Sequence, residues 1–202
     1  MADAAGRIYE RLLIVRCQVG DDAAFREIVD AYGPRLRYYL RKLLGASADV
    51  EDVLQDVWFD VVRGVPRLVD PGAFPAWLYR VALDRAFRQL RGRRPTSRLI
   101  EEIDVQAEDG DEFSAEDAGR VHAALDGLGP EQREVLVLRF LEEMSYESIA
   151  EVVGCPVGTV RSRIHYAKRA LRGVLESEDD DERERPGPGA AETRRDRPLG
   201  HS

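Results

Sequence analysis

The chain has 202 residues, 44% of them hydrophobic and 34% charged, with 38 Asp and Glu against 30 Lys and Arg for a net charge of −8. This length accommodates one or two small domains. The longest apolar runs are far shorter than the about 20 residues that a membrane span requires, and no signal segment is recognisable. We therefore expect neither membrane insertion nor secretion. The two cysteines, Cys17 and Cys155, lack CxxC spacing, which excludes a disulfide scaffold or a Cys-rich zinc site and predicts a reducing, cytoplasmic location.

The first block of the chain is predicted to be helical. Apolar residues recur near the helical period in five stretches, at 8–15, 23–32, 36–44, 50–62 and 76–91. Gly20-Asp21-Asp22 combines a helix stop with an N-cap, and Gly33-Pro34 is expected to interrupt the helix around it. Residues 64–75, which include three prolines, are predicted to form a long loop. We see no alternation typical of strands and no internal repeat.

Two acidic segments separate and follow the blocks of basic character. Residues 99–119 hold nine acidic residues and no base, and they are predicted to form a solvated linker because they lack a sustained apolar face. Residues 176–202 hold nine acidic residues and five arginines around the sequence Pro186-Gly187-Pro188-Gly189, a composition typical of a disordered, solubilising tail. Removing these charges of −9 and −4 leaves +5 for the remaining chain, so the acidic total does not exclude nucleic acid as a partner.

The second block has the spacing of a helix-turn-helix. A short helix is predicted at 121–125, and Pro130 suits the first turn of the next helix. A helix at 146–153, the turn Gly154-Cys155-Pro156 and a longer helix from Val157 follow, with one apolar stripe on the longer helix. The opposite face carries the donors, aromatic rings and arginines that read a major groove: Arg161, Ser162, His165, Tyr166, Arg169 and Arg172. The alternative is a solvated basic face on a structural helical hairpin.

Six short motifs occur in order along the chain. Those of the first block are GDDAAF (20–25), DVEDVLQDV (49–57) and FPAWLYRVA (74–82), and those of the second are LGPEQREV (128–135), SYESIAE (145–151) and CPVGTVRSR (155–163). The first set resembles region 2, and the second region 4, of the extracytoplasmic-function (ECF) sigma factors of the sigma-70 family. The resemblance implies an all-α fold of two small domains on a flexible acidic linker: region 2 at 1–98, the linker at 99–119, region 4 with its helix-turn-helix at 120–176 and the disordered tail at 177–202.

The resemblance implies that region 2 binds core RNA polymerase. In this family the clamp helices of the polymerase contact positions that match Asp52, Gln55 and Asp56. Phe59 lies on the same helix face, and an aromatic ring ringed by polar groups marks an interface. The alternative is that Phe59 packs under the N-terminal helix of its own chain.

The resemblance also implies that region 2 reads and melts the −10 promoter element. The candidate reader is the helix at 76–91, through Arg80, Asp84, Arg85, Arg88 and Arg91. Asp84 stands where the family usually has asparagine, and it can pair with Arg80 and Arg88 at (i, i+4). The loop at 64–75 matches the loop that captures a flipped base in this family, since a base leaves the stack more readily into a pocket than onto a flat helix.

Region 4 of the family reads the −35 element and contacts the polymerase flap. The corresponding DNA-binding candidates are Thr159, Arg161, Ser162, His165, Tyr166, Lys168, Arg169 and Arg172. The acidic linker matches a segment that passes through the polymerase, where its charge imitates nucleic acid. Three histidines without a clustered ligand set, and the lack of GxxxxGK, HExxH or GxSxG, predict no metal, no cofactor and no catalytic site.

The resemblance thus implies an alternative sigma factor, a non-catalytic specificity subunit of RNA polymerase, controlled by an anti-sigma protein. Two other classes of protein remain open at this point. One is a helix-turn-helix regulator that binds an operator without polymerase. The other is an adaptor that binds polymerase and never reads DNA.

Overall fold

The computed structural model describes residues 4–45, 49–91 and 124–184, and it describes their side chains except at 91 and 174–184. Within these ranges every regular element is helical, and no helix is both long and apolar enough to cross a membrane. The α-helices are α1 Ala4–Gln18, α2 Asp22–Leu44, α3 Val50–Gly64, α4 Phe74–Arg91, α5 Pro130–Leu136, α6 Tyr146–Val153 and α7 Val157–Glu184. The predicted linker at 99–119 lies outside the described residues.

Helices α1–α4 form the first unit, around one core. The N-cap predicted at Gly20-Asp21-Asp22 is confirmed, since the Asp21 carboxylate accepts hydrogen bonds from two backbone N–H groups of α2. The Asp49 carboxylate caps α3 by accepting one hydrogen bond from the backbone N–H of Asp52. Two 3-10 turns, Val65–Arg67 and Pro71–Ala73, occupy the predicted loop between α3 and α4. Each helix contributes a fully buried side chain to the core: Ile14, Leu36, Val57 and Leu78.

Helix α2 runs without interruption through Gly33-Pro34, so the predicted break is wrong. Apolar positions recur every four residues across the proline and are at most 5% exposed: Ile28, Tyr32, Leu36 and Leu40. Burying this stripe, at about 1.5–3 kcal/mol for each large side chain, outweighs the roughly 3 kcal/mol that an interior proline costs a helix. The segments 23–32 and 36–44, which the sequence assigned to two short helices, therefore belong to one continuous helix.

Helices α5–α7 form the second unit. As predicted, Pro130 occupies the first turn of α5, and α6 and α7 form a helix-turn-helix. Gly154 ends α6 in the left-handed conformation, at φ +69°, which glycine adopts without a steric penalty. A π-helical turn, Val137–Leu141, continues α5. Helix α7 extends to Glu184, so the start of the predicted disordered tail at 177 falls inside this helix.

The two units pack against each other, which the sequence did not predict. Helix α4 lies along α6, and α2 contacts α5. We call the contact surface the seam. Its polar residues are Arg35, Tyr39, Lys42, Tyr79 and Arg80 of the first unit and Asp126, Arg133, Glu134, Glu142 and Glu151 of the second.

Candidate nucleic-acid and protein interfaces

Helix α7 has one buried and one exposed face, as its sequence predicts. The buried stripe, at most 3% exposed, consists of Val160, Ile164, Ala167 and Leu171. On the rest of the helix surface Arg161, Tyr166, Arg169 and Arg172 are exposed, while Thr159, His165 and Lys168 are half-buried. The exposed face therefore presents cationic donors together with aromatic rings, the groups that contact base edges and phosphates.

Ser162 does not share this exposure. Only 7% of the residue is accessible, and its hydroxyl donates a hydrogen bond to the carbonyl oxygen of Gly158 at 3.1 Å. A serine in a helix can satisfy its hydroxyl on the carbonyl one turn earlier without reaching solvent. The prediction that Ser162 lies on the exposed face is therefore wrong for this conformation.

Aromatic rings hold several cationic groups of this surface in place. The centre of the Tyr146 ring lies 5.0 Å from the guanidinium carbon of Arg139 and 5.8 Å from that of Arg161. The Phe140 ring lies 5.3 Å from the ammonium nitrogen of Lys168. These distances fall within the about 6 Å range of cation–π attraction. Sequence reasoning missed Tyr146 and Phe140 because both precede α7, the helix to which DNA contacts were assigned. The only signal in the sequence was that Tyr146 is the first residue of the helix-turn-helix.

Arg85 is engaged within the first unit. Its guanidinium donates two hydrogen bonds to the Asp60 carboxylate, at 2.5 and 2.6 Å, and one to Asp56 at 3.2 Å. These contacts tie α4 to α3, and the hydrogen bond to Asp60 is the chief cause of the raised pKa of Arg85. Carboxylates thus occupy the donors of Arg85, which has a structural role in this conformation, and its contact with DNA stays a prediction.

Three other candidates lie exposed along α4, at intervals of four: Arg80, Asp84 and Arg88. Within the described part of the chain, Asp84 forms neither of the ion pairs that its spacing allows. Arg80 instead donates from Nη1 to the carbonyl oxygen of Glu151 in α6, at 2.5 Å. Arg91 ends the helix, and its side chain lies outside the description.

The loop between α3 and α4 is fixed at its base and open at its tip. The side-chain amide of Gln18 donates to the carbonyl oxygens of Val65 and Leu68, at 3.2 and 2.7 Å. Val69 follows with 98% of its surface exposed, and Asp70 then caps the second 3-10 turn. The loop thus consists of ordered turns around an exposed apolar side chain.

Helix α3 exposes an aromatic ring among polar groups. Phe59 is 55% exposed, and Asp52, Gln55 and Asp56 are exposed on the same helix. The neighbouring Trp58 turns inward and packs edge-on against Phe25, with ring centres 6.1 Å apart. The alternative that Phe59 packs beneath the N-terminal helix is therefore wrong.

Comparison with known proteins identifies the family. Residues 28–96 match the family model described as Sigma-70 region 2, and residues 118–171 match Sigma-70, region 4. The RNA polymerase sigma-H factor of Pseudomonas aeruginosa is 33% identical over 186 residues, covering 83% of this chain and 94% of that protein. The ECF RNA polymerase sigma-E factor of Escherichia coli K12 is 32% identical over 179 residues, covering 82% and 93%. The chain belongs to the ECF sigma factors of the sigma-70 family.

Solved structures support the same fold for this sigma factor. CnrH, in complex with the cytosolic domain of CnrY, is 27% identical with a TM-score of 0.61, covering 83% of this chain and 97% of that one. The sigma factor RpoE of Bartonella quintana, in complex with the anti-sigma factor NepR, superposes with a TM-score of 0.58 over 75% of this chain and 96% of that one, at 24% identity.

Family membership settles the class of function. A sigma factor is a non-catalytic subunit that binds core RNA polymerase and directs transcription initiation at promoters. The match to region 2 excludes the first alternative class, a regulator that works without polymerase. The match to region 4 excludes the second, an adaptor that never reads DNA. Among the described residues, no three His, Cys, Asp or Glu side chains group as metal ligands.

Proposed function

We propose that this sigma factor attaches to the polymerase clamp through α3 and reads its promoter with α4 and α7. The observation that carries the proposal is that one chain presents two distinct surfaces. One is the exposed Phe59 ring among the polar groups of α3, and the other is the cationic and aromatic face of α7. Exposed aromatic side chains anchor protein interfaces, whereas cationic helix faces bind the phosphates of DNA.

For the −35 element, we assign base contacts to His165 and Tyr166 and a mixed role to Arg161. Thr159, Lys168, Arg169 and Arg172 lie nearer the helix edges or farther along, where phosphates are the partners. Ser162 is left out of this set because it is buried and hydrogen-bonded to its own helix. We assign the surface of α5 and α6 away from DNA to the polymerase flap.

For the −10 element, we assign DNA contacts to Arg80, Asp84, Arg88 and Arg91 of α4. The turns between α3 and α4 supply the pocket for a flipped base, and the exposed Val69 side chain provides an apolar surface against which a base can stack. Arg85 stabilises the position of α4 by donating hydrogen bonds to Asp60 of α3.

Location and control follow from the same family. Core polymerase works on the chromosome, so this sigma factor acts in the cytoplasm. CnrH and the Bartonella RpoE were each solved with a protein bound, CnrY in one case and the anti-sigma factor NepR in the other. We assign this chain a protein partner of the same class, which binds it and withholds it from polymerase.

Reconstitution with purified core RNA polymerase tests the proposal. The full chain is expected to shift core enzyme in a native gel and to support run-off transcription from the region upstream of its own gene. A variant with Phe59→Ala should lose the gel shift, whereas one with His165→Ala should keep it and lose promoter selection. The assignment of α3 fails if Phe59→Ala binds core normally.

A further inference from the structure

The last residue of α1 is hydrogen-bonded to the loop between α3 and α4. The side-chain amide nitrogen of Gln18 donates to the carbonyl oxygens of Val65 and Leu68, at 3.2 and 2.7 Å. A primary amide carries two N–H donors, so this one nitrogen can satisfy both carbonyl groups. The Val65 carbonyl oxygen also accepts the backbone N–H of Leu68, at 3.0 Å, which closes the first 3-10 turn. Gln18 therefore holds this turn at both of its ends.

The second half of the loop contacts α1 as well. Arg11, about two helical turns before Gln18, pairs with the Asp70 carboxylate at 3.6 Å. A Cβ atom at Gly72 would overlap the Arg11 guanidinium group, so a glycine at this position allows the close approach. Both partners of the ion pair are more than half exposed, and such a surface pair contributes little to stability. The two hydrogen bonds of the half-buried Gln18 are therefore the attachment on which the loop depends most.

The turn that joins α1 to α2 fixes the position of Gln18. Arg16 contacts one oxygen of the Asp21 carboxylate through both Nε, at 2.9 Å, and Nη2, at 2.7 Å, while the other oxygen caps α2. The backbone N–H groups of Val19 and Asp21 both donate to the carbonyl oxygen of Arg16, at 3.2 and 3.1 Å. The motif Gly20-Asp21-Asp22 thus fixes the end of α1, where Gln18 lies.

Between its attachments to Gln18 and Arg11, the loop buries little of its own surface. Pro66 and Arg67 are exposed, Leu68 is half-buried, and 98% of Val69 is accessible. Ordering these residues costs conformational entropy, which exposed side chains do not offset by burial. The contacts from α1 must therefore supply much of the free energy that keeps the loop in one shape.

We propose that Gln18 is a positioning residue for the −10 element, because it sets the shape of the loop that receives the flipped base. This inference rests on the proposed role of the loop between α3 and α4 as the pocket for that base. A pocket reads a flipped base by close fit and by hydrogen bonds, so a wall displaced by about 1 Å is enough to lose discrimination. Gln18 acts on the base only through the backbone of Val65 and Leu68.

Two substitutions of Gln18 remove its donors in different ways. Gln18→Glu keeps the size of the side chain but replaces the amide nitrogen by a carboxylate oxygen, which the Val65 and Leu68 carbonyl groups repel. Gln18→Met removes the donors without adding a charge, should Gln18→Glu fail to fold. Tyr9→Phe is the matched control, since it removes a hydrogen bond from α1 to Glu27 of α2 and leaves the loop contacts in place. The melting temperature of each full-length variant compares their stability.

Base preference at the −10 element is the property that distinguishes a positioning role from a merely structural one. Holoenzyme made with purified core polymerase is titrated with single-stranded −10 oligonucleotides that differ in one base at one position. A mismatched base typically lowers affinity about 5- to 150-fold. Both Gln18 variants should reduce that factor to about twofold or less at one position, that of the flipped base, and retain it at the positions read by α4. Tyr9→Phe should retain it at every position.

Val69→Ser, at the exposed tip of the loop, separates this inference from the proposed function. It removes the apolar surface against which the base stacks, so it should reduce discrimination at the same single position. If it does so and neither Gln18 variant does, the pocket stands and the positioning role is wrong. Equal weakening of all oligonucleotides by the Gln18 variants, or an equal effect of Tyr9→Phe, would also overturn that role. If Val69→Ser changes no position, the proposed pocket is wrong and the role of Gln18 falls with it.

Discussion

Phe59 is the side chain on which polymerase attachment depends most in the proposed function. Replacing it with alanine is expected to cost about 2 kcal/mol or more of core affinity, as loss of an aromatic anchor does. Folding should change little because the ring is already 55% exposed. The neighbouring Trp58→Ala is the matched control, since its ring packs on Phe25 and its loss should lower the melting temperature. Unfolding of the Phe59 variant, with normal core binding by its soluble fraction, would contradict the assignment.

Asp84 faces solvent between two arginines without pairing to them. Changing Asp84 to Asn restores the side chain common in the family and removes a negative charge from the DNA-facing stripe. Promoter opening, followed by permanganate footprinting, should be maintained or improved, and the free energy of unfolding should stay within about 0.5 kcal/mol of the wild type. Asp60→Asn is the control, because it weakens the two hydrogen bonds from Arg85 and should destabilise the first unit. A severe loss of stability in the Asp84 variant would show a structural role instead.

Tyr146 is placed to orient the cations beside it. Tyr146→Leu removes the ring that contacts Arg139 and Arg161, so holoenzyme should lose part of its preference for the matched −35 sequence. Tyr146→Phe keeps the ring and should retain the preference. Binding to matched and scrambled DNA measures this, with unfolding as the stability check. Equal loss in the Phe variant would assign the effect to the hydroxyl.

At the scale of single residues, sequence reasoning succeeded where the helical period alone decides whether a side chain is exposed. The outward position of Phe59 follows from the period of α3. Arg85 and Ser162 were assigned to DNA because they lie on polar faces, and each has another partner in the structure. The partner of Arg85 is Asp60, on a different helix, and that of Ser162 is a backbone carbonyl one turn away. Neither contact leaves a signal in a pattern of polarity.

Helix α7 is the element on which two kinds of DNA contact should separate. His165→Ala or Tyr166→Ala is expected to cost roughly 1–3 kcal/mol on the cognate −35 sequence and little on scrambled DNA. Lys168→Ala should weaken both sequences alike and reduce the salt slope by about one unit, because we assign Lys168 to a phosphate contact. Holoenzyme affinity for both sequences across a salt series measures the difference. Uniform weakening by the His165 and Tyr166 variants would mean that these residues only position the helix.

The turn between α6 and α7 depends on Gly154. An alanine there must adopt a left-handed conformation, which costs about 1–2 kcal/mol. Its Cβ would meet only Arg80 side-chain atoms, at 3.7 and 3.9 Å, so the cost is conformational rather than steric. Gly158→Ala is the control, because that site is helical with open space around it and alanine there should be neutral or stabilising. Chemical unfolding followed by circular dichroism compares the two. Equal stability of both variants would contradict the argument.

Most elements could be predicted because each carries its own apolar period, and α2, α3 and α6 also begin at a side-chain N-cap. The exception, α2, shows the limit of local signals. Gly33-Pro34 is a strong breaker by itself, yet the stripe from Ile28 to Leu40 continues through it. The stabilising free energy comes from packing against α1, α3 and α4, which a reading of the local sequence does not include. Pro130, by contrast, lies in a first turn, where local chemistry is sufficient.

On the scale of the whole molecule, the sequence predicted two helical units and a helix-turn-helix in the second. It could not predict that the units meet. The seam is made of residues such as Arg35, Lys42 and Glu134, whose types normally indicate solvent. Each becomes buried or paired only because a residue far along the chain supplies the opposite group, as Glu134 does for Tyr39.

The polar character of the seam also affects how the protein behaves in concentrated solution. Before the two units meet during folding, both surfaces lie in water, which readily solvates their carboxylates, phenols and guanidinium groups. A seam of leucine and phenylalanine alone would bind more firmly, but the partly folded chain would then expose an apolar patch that promotes aggregation. The carboxylate of Glu134 is therefore compatible both with water, before the units meet, and with the buried seam. Leucine there would remove the hydrogen bond from Tyr39 and enlarge the apolar surface of the partly folded chain.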